Sequence, residues 1–260
     1  MSRQMSADAE LGRVLAEIVE EAGAEIMPLW KSDLAVDRKA DFSPVTEADR
    51  RGEALILRRL AERFPGVTVV SEEDASAFGT PDRIGPRFFL VDPLDGTKAF
   101  VRGGEHWTVN IGLIQDGRPV AGAVSAPAWN RTWLTTGSGA ERRRIGEGGG
   151  EPIRVRPWPA QGAVAVVSHT MKPEVEAELR KKYGYSQTLA MDSSAKICML
   201  AEGTADIYPR HGTTMEWDIA AAHAVLEAAG GTLKTPDGGP FLYGKADQGF
   251  KNGWFVARGL

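Results

Sequence analysis

The sequence predicts a mixed α/β protein whose helices and strands stack in layers. Three observations carry that expectation. Apolar residues recur at helical spacing in several segments, short β-branched runs alternate with those segments, and no internal repeat or low-complexity tract breaks the alternation. A chain of 260 residues has room for one large domain or two smaller halves, with enough core to fold without covalent staples.

Each element has its own signal. Leu11, Val14, Leu15, Ile18, Val19, Ala22 and Ile26 form one helical face, with acidic residues opposite and Pro28 near the end. A second helix is expected over 47–63, opened by Thr46 and stopped by Phe64-Pro65-Gly66. A strand over 67–70 runs into Ser71-Glu72-Glu73-Asp74, which reads as an acidic loop, and an apolar strand over 87–91 stops at Asp92. Segments 107–114 and 119–125 flank Asp116-Gly117, a hairpin signal, and 131–136 adds a third strand. The stretch 137–159 reads as the least structured, with Arg142-Arg143-Arg144 as an exposed loop beside a glycine tract. It divides the chain into an N-terminal half, 1–145, and a C-terminal half, 146–260, that act as one unit. Beyond it follow a strand over 163–167, helices over 173–183 and 194–202, and a strand over 205–209. A helix over 217–229 is closed by Gly230-Gly231, and a last strand covers 253–257.

Composition excludes several functions. Asp and Glu number 35 against 31 Lys and Arg, a net charge of -4, which argues against a nucleic-acid polymer as partner. The seven tryptophans are scattered and build no stacking platform. No apolar run approaches the roughly 20 residues of a membrane span, and 1–9 carries no apolar leader, so a cytoplasmic protein without obligate membrane contact is expected. The one cysteine, Cys198, agrees with a reducing compartment; it lies among Ile197, Leu200 and Ala201 as a small core residue. His106, His211 and His223 show no zinc-like spacing with it.

The chemistry resides in acidic residues at the ends of elements: Asp49, Glu72-Glu73, Asp92 with Asp95, and Asp218. Carboxylates from separate elements are how proteins supply oxygen ligands to hard cations such as Mg²⁺. In Val91-Asp92-Pro93-Leu94-Asp95-Gly96-Thr97, a strand delivers two carboxylates, and Gly96 and a helix starting near Thr97 offer N–H groups to an anion. Metal ligands followed by a phosphate cradle make a phosphatase arrangement. Simpler roles exist for single members. Thr46 and Asp49 have the spacing of a capping box, and Asp218 after Trp217 would favour a helix dipole on its own.

Taken together, Ser43-Pro44-Val45-Thr46-Glu47-Ala48-Asp49, Ser71-Glu72-Glu73, the block from Asp92 to Thr97, and Trp217-Asp218-Ile219-Ala220-Ala221 resemble the signatures of the inositol monophosphatase-like superfamily, in the same order. The resemblance runs from about Asp41 to the end. It implies an αβαβα layered sandwich, Mg²⁺ as cofactor (two or three ions), and a metal site between the halves. Glu72, Asp92, the Leu94 carbonyl, Asp95 and Asp218 would be metal ligands, and Thr46, Asp49 and Thr97 catalytic residues. The later half, through Asp192-Ser193-Ser194-Ala195-Lys196 and Tyr208-Pro209-Arg210, with Thr108-Val109-Asn110-Ile111, is similar to the bacterial 3′(2′),5′-bisphosphate nucleotidases. That likeness implies hydrolysis of adenosine 3′,5′-bisphosphate to AMP and phosphate, with 3′-phosphoadenosine 5′-phosphosulfate as a further candidate and a link to sulfate assimilation. Gly96, Thr97, His169, Ser193, Lys196 and Arg210 would bind this small phosphorylated nucleotide; a homodimer is left open. Physics agrees in part, since Ser193 and Lys196 are one helical turn apart and Arg210 at a strand end can clamp a phosphate. The chain departs from the family in carrying Ala99 where Glu is usual, and its Phe100-Val101-Arg102-Gly103 is similar to inositol-phosphate and histidinol-phosphate members, which are the alternative substrates. Two further readings are a haloacid-dehalogenase-type phosphatase, whose aspartates stand two apart rather than three, and a catalytically silent nucleotide-binding regulator.

Overall fold

A computed structural model describes residues 2–32, 36–38, 44–81 and 83–260; Asp41 and Ser43, at the start of the first signature, lie outside them. The first elements in chain order are α1 (Ser2–Ile26), β1 (Val36–Arg38), β2 (Pro44–Thr46), α2 (Glu47–Arg63), β3 (Thr68–Ser71), α3 (Glu72–Phe78), β4 (Arg87–Asp95) and α4 (Thr97–Val101). A meander follows: β5 (Thr108–Gln115), β6 (Arg118–Ala126), β7 (Arg131–Thr136), β8 (Gly139–Arg143) and β9 (Glu151–Ile153). The later part comprises β10 (Val164–Val167), α5 (Pro173–Tyr183), β11 (Gln187–Ala190), α6 (Ala195–Ala201), β12 (Ile207–Arg210), β13 (Thr214–Met215), α7 (Glu216–Ala228), β14 (Thr232–Lys234), β15 (Lys251–Asn252) and β16 (Phe255–Arg258).

Three apolar cores define the layers. Strand β4 is buried on both faces: Phe89 and Val91 join Leu15, Val19 and Ile26 of α1 and Ile56 and Leu60 of α2. On the other face, Phe88 and Leu90 join Ala220, Ala221 and Val225 of α7, Ile197 and Leu200 of α6, and Tyr208, Phe255 and Ala257 of the second sheet. The far face of that sheet, Ala165, Val167, Ile207 and Val256, packs on Leu179 of α5. The order is therefore helices α1 and α2, the sheet β3-β4-β5-β6-β7-β8-β9, helices α6 and α7, the sheet β11-β10-β12-β16-β14, and helix α5. This is the αβαβα sandwich that the resemblance implies.

Many boundaries follow their local signals. Asp116 and Gly117 both take positive φ (51° and 73°), the conformation of a tight hairpin turn between β5 and β6. Thr46 caps α2: its Oγ1 accepts from Ala48 N at 3.1 Å, and its backbone N–H donates to Asp49 Oδ2 at 2.7 Å. No described helix is long and apolar enough to cross a membrane.

Three sequence expectations need correction, and one strand had no expectation. The stretch 137–159 holds two strands, β8 and β9, and residue 145 lies between them within one sheet. The three-arginine run is not a free loop. Arg143 and Glu20 are both buried and pair at 2.8 Å, and Arg142 bridges Glu151 and Glu202. Pairing supplied by α1 and the 202 turn, invisible in local composition, makes burial of these cations tolerable. The acidic residues after Ser71 open helix α3 rather than a loop, because negative charge suits a helix N-terminus. Strand β11, unsignalled and exposed along its length, exists through parallel pairing with β10.

Helix α7 approaches the first sheet unusually closely. A Cβ built on Gly122 of β6 would lie 2.4 Å from the Ala221 carbonyl oxygen, and one on Gly112 of β5 would lie 2.8 Å from Ala221 N. Glycines below and alanines above let the backbones meet, and this sets the depth of the α7 N-terminus that carries Asp218. Gly122→Ala is therefore expected to destabilise the protein by about 1–3 kcal/mol through overpacking, read as a lower urea midpoint; an unchanged midpoint would show that α7 is free to shift outward.

Candidate active site

Asp92 and Asp95 are three residues apart, and in a regular strand such residues face opposite sides of the sheet. Strand β4 does not end at Asp92; it runs on to Asp95 with an irregular register. Asp92 pairs with Asn110 and Asp95 with Thr108, so Pro93 and Leu94 stand opposite the single residue Val109. This bulge turns Asp95 to the same side as Asp92. Both line one cavity of about 470 Å³. Proline fits there because a bulged residue forgoes a ladder hydrogen bond.

Three elements bring carboxylates to that cavity. Glu72 is the first residue of α3, Asp92 lies in β4 and Asp218 lies in the first turn of α7. One oxygen from each falls within 4.8 Å of the others. Each is locally oriented: Asp92 Oδ1 accepts from Leu94 N at 3.0 Å, and Asp218 Oδ2 from Met215 N at 2.8 Å. The start of α3 is held by Glu53 of α2, which accepts from the N–H groups of Glu73 (3.0 Å) and Asp74 (3.3 Å). Glu53 was not singled out in the sequence. Its signal was there, four residues after Asp49 and on the same helix face. Burial pushes its carboxyl up.

Asp95 is placed differently. It lines the same cavity but is not one of the three mutually close carboxylates; its Oδ2 accepts from Ser194 N and, at 3.5 Å, from Asn110 Nδ2. Burial, and then the charges of Glu72, Asp95 and Asp218, push the Asp92 carboxyl well above the ordinary carboxylate range. Asp218 is raised likewise by burial and by Asp95 and Glu72. Asp95 is pushed up to about 6 by burial, with Lys196 and the Ser194 N–H holding it down. A buried, oxygen-only donor set whose charges repel one another fits a hard divalent cation such as Mg²⁺.

Thr46 and Asp49 do not line the cavity; they reach it through Thr97. Asp49 Oδ2 accepts from Thr46 N and from Thr46 Oγ1 (2.8 Å), while Thr97 Oγ1 lies 3.2 Å from Asp49 Oδ1 and 3.0 Å from the Leu94 carbonyl. One hydroxyl proton serves only one of those acceptors at a time. Gly96, at φ 94°, opens α4, and a Cβ there would meet the His106 carbonyl oxygen at 2.6 Å. The position requires glycine both for conformation and for space.

The same cavity also carries cations. Ser193, Lys196 and Arg210 line the cavity, with Ser168, Thr170 and Asp192. Lys196 Nζ donates to the carbonyls of Ser193 (2.7 Å) and Met191 (3.3 Å), which leaves one of its three donors. Burial pulls Lys196 down to about 8 against the opposing pull of Asp95. Arg210 Nη2 donates to the Thr213 carbonyl at 3.2 Å. His169 stands beside the lining rather than in it, its ring 5.4 Å from that of His106. Asp192, which the sequence reading gave no role, pairs with Arg102 at 3.5 Å.

The raised carboxylates predict a pH-dependent stability. A carboxyl whose folded pKa lies above its unfolded value stabilises the fold when protonated, and that contribution is lost as pH rises through the folded value. For Asp95 the window runs from 3.8 to about 6. Mg²⁺ should therefore raise Tm more at about pH 8 than at about pH 5, and Asp92→Asn should shrink the difference. Equal shifts at both pH values would contradict binding at these carboxylates.

The model of the inositol monophosphatase family matches residues 8–256. The 3′(2′),5′-bisphosphate nucleotidase CysQ of Escherichia coli K12 is 36% identical over 245 residues, covering 94% of this chain and 98% of the relative. A histidinol-phosphatase of Mycobacterium tuberculosis is 33% identical over 211 residues, 79% of each chain. Among solved structures, CysQ from Bacteroides thetaiotaomicron, a bacterial member of the same family, aligns with a TM-score of 0.78 and 32% identity, covering 96% of this chain and 97% of that one.

Proposed function

The chain belongs to the inositol monophosphatase family of metal-dependent phosphatases, and from that premise we propose that it is a 3′(2′),5′-bisphosphate nucleotidase converting adenosine 3′,5′-bisphosphate to AMP and phosphate. The observation that carries this reading is one cavity lined both by the carboxylates Glu72, Asp92 and Asp218 and by the cations Lys196 and Arg210. A metal site for the reacting phosphate and separate cations for a second one suit a bisphosphate better than a monophosphate. The full-length similarity to CysQ supports the same substrate class.

Glu72, Asp92 and Asp218, with Asp95 and the Leu94 carbonyl, would hold two or three Mg²⁺ ions. Bound there, the ions supply charge neutralisation on the phosphoryl oxygens and a lower pKa for the attacking water. In the reaction, water adds to the phosphorus of the 3′-phosphate while the bond to the ribose oxygen breaks, giving AMP and inorganic phosphate. Asp49, acting through the Thr97 hydroxyl, orients that water and draws off its proton; Thr46 keeps Asp49 in place by two hydrogen bonds. The N–H groups of Gly96 and Thr97 meet the phosphoryl oxygens as charge shifts onto them. Ser193, the remaining Lys196 donor and Arg210 bind the other phosphate, with His169 at the margin. The single, fully buried Cys198 fits a reducing compartment, and the cytoplasm is the compartment assigned.

Histidinol phosphate is the second reading. The histidinol-phosphatase relative favours it, as does Asp192, a cavity carboxylate able to pair with a substrate ammonium. Values of kcat/KM for adenosine 3′,5′-bisphosphate, inositol 1-phosphate and histidinol phosphate in one Mg²⁺ buffer decide between them. The bisphosphate should lead, and a lead for either monophosphate would overturn the nucleotidase assignment. Asp92→Asn should abolish Mg²⁺-dependent turnover on every substrate, and retained activity would remove Asp92 from the metal site. Lys196→Ala should raise KM for the bisphosphate about tenfold or more with a smaller change in kcat; an unchanged KM would remove Lys196 from the phosphate contact.

A further inference from the structure

Behind Asp95 lies a buried polar relay that no part of the proposed chemistry uses. Thr108 and Asn110 are fully buried and Ser194 nearly so. Ser194 Oγ lies 2.8 Å from Asn110 Oδ1 and 2.9 Å from Thr108 Oγ1. Asn110 Nδ2 and Ser194 N both point at Asp95 Oδ2.

The inventory of donors gives this relay a direction. Asp95 accepts when ionised, so Asn110 must present its NH₂ to it and its carbonyl oxygen to Ser194. That carbonyl can only accept, so the Ser194 hydroxyl donates to it. Thr108 then donates to Ser194. The sequence Thr108 to Ser194 to Asn110 to Asp95 is a one-way chain of donors ending on a carboxylate. Both bonds fall on Oδ2, and among the described residues none is recorded on Oδ1.

We propose that Asn110 and Ser194 are positioning residues that hold Asp95 by one oxygen and leave the other for the cation. Thr108 sets the direction of the chain. The arrangement joins the two sheets at the site, because Asn110 and Thr108 come from β5 of the first sheet and Ser194 from the loop after β11 of the second. Lys196 belongs to the same device. Its bonds to the Met191 and Ser193 carbonyls pin the turn in which Ser193 takes a φ of 62°, immediately before the Ser194 N–H. A carboxylate without this support would rotate toward Lys196 or repel its neighbours. The proposal rests on the metal-dependent reading above and adds residues that touch neither substrate nor cation.

The test measures Mg²⁺ binding by calorimetry on the full chain without substrate. Asn110→Ala removes the side-chain donor to Asp95 and should weaken Mg²⁺ about tenfold or more, as loss of a ligand's hydrogen-bond partner does elsewhere. Asn110→Asp, which sets a carboxylate against Asp95, should weaken it further. Thr108→Val keeps the shape, removes only the first donor, and should cost about threefold. Ser194→Ala combined with Asn110→Ala should be less than additive, since both act through one carboxylate. Ser194→Thr, which restores a hydroxyl, should recover most of the affinity lost in Ser194→Ala. A merely structural role predicts instead that Tm falls equally with EDTA and with Mg²⁺ while Mg²⁺ affinity stays within twofold of wild type, and that outcome overturns the proposal. Should Asn110→Ala not fold, Thr108→Val alone decides by the same criterion. Absence of Mg²⁺ binding by the wild type would overturn the metal-dependent reading as well; wild-type binding with unaffected variants overturns only the relay.

Discussion

The structure depends on keeping several carboxylates together at the wall of one cavity, Asp92 buried and Glu72 and Asp218 partly so. Glu72, Asp92 and Asp218 present oxygens within 4.8 Å of one another, and Asp92 is almost completely buried. Charges so placed repel strongly, because the interior screens them poorly. The fold therefore needs rigid attachment of each one, and each sits on a different support. Asp92 rides on a strand buried on both faces, Asp218 on the helix between the two sheets, and Glu72 on a short helix held by Glu53. A site assembled from three flexible loops would relax by moving apart. This one is held against its own repulsion by two apolar cores.

Two small geometric devices make the assembly possible. The bulge in β4 turns two aspartates three residues apart to one side of the sheet, and the glycines of β5 and β6 let α7 descend far enough to bring Asp218 within reach. Each device is a departure from ideal secondary structure that costs local regularity. Functional sites are where such departures concentrate. Lys196 follows the same logic, since it is buried beside Asp95 and its lowered proton affinity reflects the expense of enclosing a charge.

Substrate discrimination within a family of shared metal chemistry has to come from the cavity residues that are not carboxylates of the metal cluster. Here the lining carries both signs: Lys196 and Arg210, and Asp192, already engaged by Arg102. The relative strength of those two elements separates a bisphosphate from an aminoalkyl phosphate. The Asp192–Arg102 pair argues for the anion, because a carboxylate with its own guanidinium partner attracts a second cation less.

Much of the fold was legible in the sequence wherever the signal was local. Helical periodicity marked α1, Thr46 and the Phe64-Pro65-Gly66 breaker marked the ends of α2, and Asp116-Gly117 marked the hairpin; in all three the residues that determine the structure lie within a few positions of one another. The residues that line the cavity, Glu72, Asp92, Asp95, Asp218, Ser193, Lys196 and Arg210, were legible as types in the sequence. What the sequence could not reveal was everything that depends on a distant partner. Arg142 and Arg143 looked like a solvated run until Glu202 and Glu20 were brought to them. Strand β11 had no pattern of its own and exists because β10 offered an edge. Glu53, Asn110 and Ser194 were given no role, although Asn110 and Ser194 lie in quoted motifs and Glu53 shares a helix face with Asp49, because a hydrogen-bond partner is defined by position and not by residue type. By itself the sequence determined the layered class, those element ends that have a local cap or turn signal, and the chemical types of residue gathered in the cavity. Only the tertiary structure decided which carboxylates meet and what holds them, because repulsive groups are brought together by packing elsewhere in the chain.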